Sequence, residues 1–292
     1  MSDVVIRLVG GLGNQMFQYA AAKAVALRSG AELVLDLSWF STVSDRQYAL
    51  GPLSVSAHTL GDMPPKGTPG HLLKETQYRL ARYTERYFLR RPVFHEKHFH
   101  FDPAMLDVHA PVHLEGYFQS EKYFLEYRDQ IASEFKLASP PGHLAQAILE
   151  KMATHDAISL HVRRGDYAAD ATTSAYHGLC SLEYYYRGLG YISEGLSNPH
   201  CYVFSDDPEW VRANFSPPLP MTIMDIHGPH EAHEDLRLMT ACKHFVVANS
   251  SFSWWGAWLS ANPEKIVVAP SRWFEGSSSD TKDLIPPGWV KL

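Results

Sequence analysis

Cysteine is scarce in this 292-residue chain: there are three. Cys180, Cys201 and Cys242 are odd in number, far apart and without CxxC spacing. They build neither a disulfide framework nor a zinc knuckle, and a reducing compartment is the expected setting. Long apolar runs are missing too. The opening Val4-Val5-Ile6-Arg7-Leu8-Val9 is too short for a signal-peptide core, and no stretch approaches the roughly 18 apolar residues of a membrane span. The expectation is a soluble cytoplasmic enzyme with no transmembrane segment. Positive charge is not in excess, with 26 Lys and Arg against 32 Asp and Glu for a net charge of −6. That balance excludes a protein devoted to nucleic acid and leaves room for a local basic site. There is no repeat and no low-complexity tract. At 45% hydrophobic and 20% charged residues, the chain is an ordinary globular one, long enough to bury a sizeable core.

What is present is an alternation of strands and helices. Residues 4–9 read as a buried strand, Gly10-Gly11-Leu12-Gly13 as a tight loop, Asn14 to Arg28 as a helix ended by Gly30, and Ala31 to Leu37 as a second strand that reaches Asp36. Residues 40–115 are loop-rich, with Pro64, Pro65 and Pro69. Within and after them, Lys74 to Arg90 has helical spacing, His113 to Phe118 reads as a strand and Glu121 to Phe135 as a helix. Lys74 to Arg90 is apolar and arginine-rich; it reads as a core helix, with an interface or a peripheral membrane contact as alternatives. Ser139-Pro140-Pro141-Gly142 is the linker candidate. Beyond it, strands at 157–162, 201–204, 221–223, 245–248 and 265–269 alternate with helices at 143–154, 183–191, 208–215, 234–241 and 254–260. This is α/β layering, in two halves, residues 1–140 and 141–292.

Four segments carry chemistry. His161-Val162-Arg163-Arg164-Gly165-Asp166-Tyr167 follows a strand, where parallel sheets bind ligands. Two adjacent arginines repel each other unless an anion lies between them, and guanidinium groups grip phosphate oxygens in a fork; the plain alternative is a turn with Asp166 paired to one arginine. Phe204-Ser205-Asp206-Asp207-Pro208 also follows a strand. Its carboxylates read as a metal cluster, as an acceptor for guanine N–H groups, or as a helix cap before proline. Asn249-Ser250-Ser251-Phe252 leads into a helix whose first N–H groups can hold phosphate, with the following tryptophans as packing. The opening loop has the strand–glycine–helix–strand pattern of a dinucleotide fingerprint, but its third glycine position holds Met16, whose side chain obstructs the close helix–strand approach. NAD(P)-dependent oxidoreduction is therefore an alternative only, and the loop otherwise presents Gly11, Asn14, Gln15 and Gln18 to a sugar. The clusters His227, His230, His233 and His95, His98, His100 read as solvated loop histidines rather than a metal site.

Taken together, GGLGNQMFQYA at 10–20, HVRRGDY at 161–167, FSDDPEW at 204–210 and NSSFSWWGAWL at 249–259 resemble the α-1,2-fucosyltransferases of bacteria and animals. HxRRxD is shared with α-1,6- and protein O-fucosyltransferases, while the glycine loop and the tryptophan-rich segment are narrower. The resemblance covers nearly the whole chain in order and is weakest across residues 40–115. It implies a GT-B-like architecture of two Rossmann-like halves facing a cleft, with GDP-fucose in the C-terminal half and the acceptor shaped mostly by residues 1–140. The chain starts at its first strand, without the anchor and stem of the animal enzymes, so a bacterial cytoplasmic form is expected. The implied reaction transfers L-fucose with inversion from GDP-β-L-fucose to the 2-hydroxyl of a terminal galactose, on an oligosaccharide or a lipid-linked glycan. The implied roles are electrostatic stabilisation by Arg163 and Arg164, phosphate or ribose contact by His161, phosphate contact by Asn249, Ser250, Ser251 and Phe252, and guanine reading by Asp206 or Asp207. Gly11, Asn14, Gln15 and Asp36 would meet the acceptor, and Asp166 or Asp36 would take its proton. With two arginines on the leaving group, no metal and no cofactor is expected. A non-catalytic sugar or nucleotide binder is the remaining alternative; it leaves the arginine pair without a purpose.

Overall fold

A computed structural model describes residues 3–44, 46–60, 76, 91–164, 178–228, 230–276 and 279–292. The chain divides into two compact units, Met1–Lys136 with Lys282–Leu284, and Leu137–Thr281 with Ile285–Leu292. The linker candidate Ser139–Gly142 lies just inside the second unit. The expected helix at 74–90 and Asp166 lie outside the described residues, Thr76 excepted.

The first unit holds a sheet of five parallel strands: β1 (Asp3–Arg7), β2 (Glu32–Asp36), β3 (His58–Leu60), β4 (Val93–His95) and β5 (Val112–Glu115), in the order β3-β2-β1-β5-β4. Between β1 and β2 runs α1 (Leu12–Ser29), ended by Gly30 and buried on nearly every side. Its alanines allow that close packing, and Met16 is fully buried within it. The expected helix over Glu121–Phe135 is instead two short 3₁₀ turns, Glu121–Tyr123 and Leu125–Tyr127, followed by α2 (Arg128–Glu134). Burial of Tyr123 and Phe124 overrides the helical spacing there: Phe124 takes φ −137° and breaks the helix to reach the core.

The second unit holds β6 (Asp156–Val162), β7 (Pro199–Ser205), β8 (Met221–Met224), β9 (His244–Val246), β10 (Val267–Ala269) and β11 (Val290–Lys291), all parallel. β6 is buried along six of its seven residues, as a strand covered on both faces must be. The order β11-β10-β9-β6-β7-β8 is the doubly wound Rossmann arrangement, which grows outward from β6 in one direction and then, from β9, in the other. The helices α3 (His143–Ala153), α4 (Leu182–Ser193), α5 (Pro208–Asn214), α6 (Ala232–Thr240) and α7 (Ser251–Leu259) alternate with the strands. Each unit is thus a Rossmann-like parallel α/β half. Among the described residues, no helix is long and apolar enough to cross a membrane.

Candidate active site

In a sheet wound this way, the strand order reverses between β6 and β9, and the loops leaving those two strands diverge to form a crevice. Arg163 and Arg164 leave β6 at that point, and Asn249, Ser250 and α7 follow β9. β7, on the other side of β6, delivers Asp206 and Asp207 to the same edge.

Asp206 accepts from Arg163 Nη1 at 2.7 Å and from the Arg164 backbone N–H at 2.8 Å. It thereby spends one oxygen on each arginine residue. Asp207 caps α5, accepting from the Trp210 N–H at 3.1 Å. Its own N–H donates to Ser205 Oγ, whose hydroxyl donates to the Val162 carbonyl. The two carboxylates therefore belong to the scaffold of the arginines. Asp206 thus holds the arginine turn and Asp207 holds the helix behind it, in addition to the guanine contact expected of one of them.

The Arg164 guanidinium carbon lies 3.9 Å from the centroid of the Trp210 ring. A cation on an aromatic face is held in orientation without its N–H groups being consumed. Among the described residues its Nε is buried with no hydrogen-bond partner, and so is Nδ1 of His161. Buried orphan polar atoms are rare in folded proteins, and each asks for an explanation such as an absent ligand. His161 is 4% exposed. Burial, reinforced by Arg163 and opposed by Asp206, pulls its pKa down to about 4, so the imidazole is neutral at pH 7. The Phe252 ring packs edge-on to it, with centroids 5.7 Å apart. Ser250 is the N-cap of α7 but its side chain makes no capping bond. The first N–H groups of α7 beyond it lie before the helical ladder begins and carry the positive end of the helix dipole.

Asn249 has a different part from the one expected. It is 4% exposed; its amide N–H groups donate to the Gly178 and Trp273 carbonyls, and its carbonyl oxygen accepts from the Cys180 thiol. It joins three loops at the sheet edge and has little surface for phosphate. Trp254, Trp255 and Trp258 are core, each at most 2% exposed.

In the first unit, Gly10 sits at φ +78°, and a side chain there would collide with Asn14. Gly11 precedes α1 with open space around it. Asn14 accepts from Gln119 Nε2 at 2.9 Å. Gln15 and Asp36, expected at the acceptor, are both buried. Gln15 is fully buried, its amide bonded to the Gly10 and Gln47 carbonyls and the Ala49 N–H. Asp36 is 1% exposed and accepts from the Ser38 N–H to close the turn after β2. Neither offers a sugar a surface. Gln18 is likewise buried, tying the Val9 N–H to the Gly116 carbonyl.

Sequence reasoning gave no part to Trp210, although an aromatic residue in the first turn of the helix after the Asp206-Asp207 strand was a usable signal. It also missed the hydrogen bond between His227 Nδ1 and Asp235 at 2.7 Å, beyond β8. Among the described residues, no group of three His, Cys, Asp or Glu side chains is arranged to hold a metal ion.

Residues 73–292 match the model of Glycosyl transferase family 11. The chain belongs to that family. Over 301 residues it is 30% identical to the α-1,2-colitosyltransferase of Escherichia coli, covering all of this chain and 99% of that one. It is 32% identical to the O-antigen biosynthesis glycosyltransferase WbnK of E. coli, covering 98% and 99%. It is 30% identical to the galactoside 2-α-L-fucosyltransferase of Caenorhabditis elegans over 60% of this chain and 51% of that protein. The likeness carried by the four motifs is therefore a family relation, and this family 11 protein is a glycosyltransferase.

Proposed function

We propose that this family 11 glycosyltransferase moves L-fucose from GDP-β-L-fucose to the 2-hydroxyl of a galactosyl acceptor, with inversion and without a required metal. The observation that carries the donor half is the pair of buried nitrogens without partners among the described residues, Arg164 Nε and His161 Nδ1, beside a helix N-terminus at the switch point of the second sheet. That set of donors fits a diphosphate. In the reaction the galactosyl O2 attacks C1 of the fucosyl group from the face opposite the nucleotide. The C1–oxygen bond breaks, GDP leaves with the electron pair, and the O2 proton passes to a base, for which Asp166 remains the candidate. Arg163, Arg164 and the α7 N-terminus with Ser250 and Ser251 take up the growing negative charge, the kind of preorganised stabilisation that dominates such steps. Two guanidinium groups already there make a divalent ion unnecessary.

A second donor has an observation behind it. The full-length likeness to an α-1,2-colitosyltransferase favours a fucose analogue that lacks the 3-hydroxyl. The two donors are separated by turnover of each GDP-sugar with a β-galactoside in EDTA. Before that, thermal unfolding with GDP, UDP and NAD locates the nucleotide: ligand at about 100 times its dissociation constant adds roughly 2.7 kcal/mol. Stabilisation by GDP alone is expected. Stabilisation by NAD alone, or turnover only after manganese is restored, overturns the proposal.

A further inference from the structure

The first sheet has a switch point of its own. Its strand order reverses between β1 and β5, so a crevice opens where Gly10–Asn14 leave one strand and Gly116–Gln119 leave the other. Two hydrogen bonds span those loops: Gln119 Nε2 to Asn14 Oδ1 at 2.9 Å, and Gln18 Nε2 to the Gly116 carbonyl at 3.2 Å.

The turn after β5 is strained. Phe118 is a fully buried non-glycine residue at φ +52°, a conformation that costs energy and persists only where its surroundings impose it. Glu96, directly after β4, imposes it here. One carboxylate oxygen accepts from the Tyr117 N–H at 2.7 Å and the other from the Phe118 N–H at 3.0 Å. Gly116 makes that approach possible, since a Cβ in its place would lie 2.4 Å from that of Glu96. The outcome is that Phe118 points into the core while Tyr117, the residue before it in the turn, stays 44% exposed.

An exposed aromatic ring on a rigid turn that also carries Gln119, the partner of the Asn14 amide, with no cationic group among these loop residues, suits a neutral polyol. The C–H face of a pyranose lies on such a ring while amides take its hydroxyls. We infer that Tyr117, held by the Glu96 clamp, is the platform on which the first unit receives the galactosyl ring of the acceptor, with Asn14, whose amide is fixed by the buried Gln119, bonding its hydroxyls. This rests on the galactoside reading above and assigns that acceptor its contacts.

The test combines initial rates at saturating GDP-fucose over a range of methyl β-galactoside with saturation-transfer NMR of the galactoside alone. Tyr117→Ala should raise the galactoside KM about tenfold or more, with kcat within about threefold and GDP affinity unchanged. Tyr117→Phe keeps the ring and should stay within about threefold of the parent. Glu96→Gln cannot accept two N–H bonds and should raise KM in the same way without touching GDP affinity. An unchanged KM in Tyr117→Ala, or a kcat loss that Phe does not rescue, overturns the assignment. If the parent transfers no fucose yet shows galactoside saturation transfer that Tyr117→Ala abolishes, the platform stands and the donor reading fails. If the parent shows neither transfer nor galactoside binding, the platform falls.

Discussion

At the switch point of the second sheet stand two arginines, a neutral histidine and a helix N-terminus; at that of the first stand amides, a tyrosine and a carboxylate that clamps backbone. The frame is the same in both places: parallel strands whose order reverses and loops that part at their carboxyl ends. The loop residues alone decide what can bind, an anion in one case and a neutral polyol in the other. Fold supplies the crevice and side chains supply the ligand class.

The comparison breaks most decisively at Arg164. Arg164→Ala should cost about 10²–10³-fold in kcat, as loss of a preorganised charge stabiliser does, while circular dichroism and the unfolding midpoint stay near those of the parent. Parent-like turnover would remove the second switch point from the chemistry.

The next effect is on stability against pH. The folded pKa of His161 is lowered to about 4 by burial, so from pH 6.5 down to 4 the unfolded chain binds the proton more readily. Stability falls with acidification in that window, by about 3 kcal/mol for this one group. Glu96, raised to about 7 by burial against the pull of its two N–H bonds, works in the opposite sense: its contribution is fully present below about pH 4.5 and is lost as pH rises through 7. Denaturant titrations across pH 4–8 should therefore flatten at the acid end in His161→Asn and at the neutral end in Glu96→Gln. Identical slopes in parent and variants would contradict both burials.

A smaller effect is expected from Asp206→Asn. It leaves Arg163 without its charged partner and should cost about 1.5–3 kcal/mol, most visible as a weaker affinity for GDP by calorimetry. The smallest is Trp210→Ala, which frees the Arg164 guanidinium and should weaken GDP about 3–30-fold, with Trp210→Phe closer to the parent. A Phe variant no better than Ala would mean that the indole acts through the packing of α5 alone.

Much of the fold was legible because its periods are strong. The alternating run from 143 to 269 and the alanine-rich α1 could be read within two or three residues, the start of α7 at Ser251 rather than Trp254 being the largest difference, and the arginine turn after β6 stood out as charge where a strand ends. The partners that stayed hidden share a cause. Gln15, Gln18, Asp36 and Asn249 are polar residues in loops or at loop edges, and the sequence shows that each can bond but not to what. Their partners are backbone groups of loops brought in by tertiary folding, such as Gln47 for Gln15 and Trp273 for Asn249. Asp206 reaches back across 42 residues to the arginines, and nothing in local spacing announces that. Glu121–Phe135 misled because two buried aromatics outweigh helical spacing. β3 and β4 are three-residue strands in a loop-rich stretch, too short to show a period.

Three residues near the C-terminus, Lys282–Leu284, return to the first unit. Asp283 there accepts from the Phe101 N–H and pairs with Lys122, and its carbonyl takes the Ser120 hydroxyl. The halves are therefore not exchangeable cassettes. A chimera that swaps residues 1–136 between two family members leaves the recipient's own 282–284 seated against a foreign surface. Recombination of acceptor specificities then requires three crossovers, one near residue 136 and two bracketing a tripeptide almost 150 residues downstream. Inheritance of the first unit by a single crossover would carry a defect at that seam, and libraries built for altered specificity should be cut accordingly.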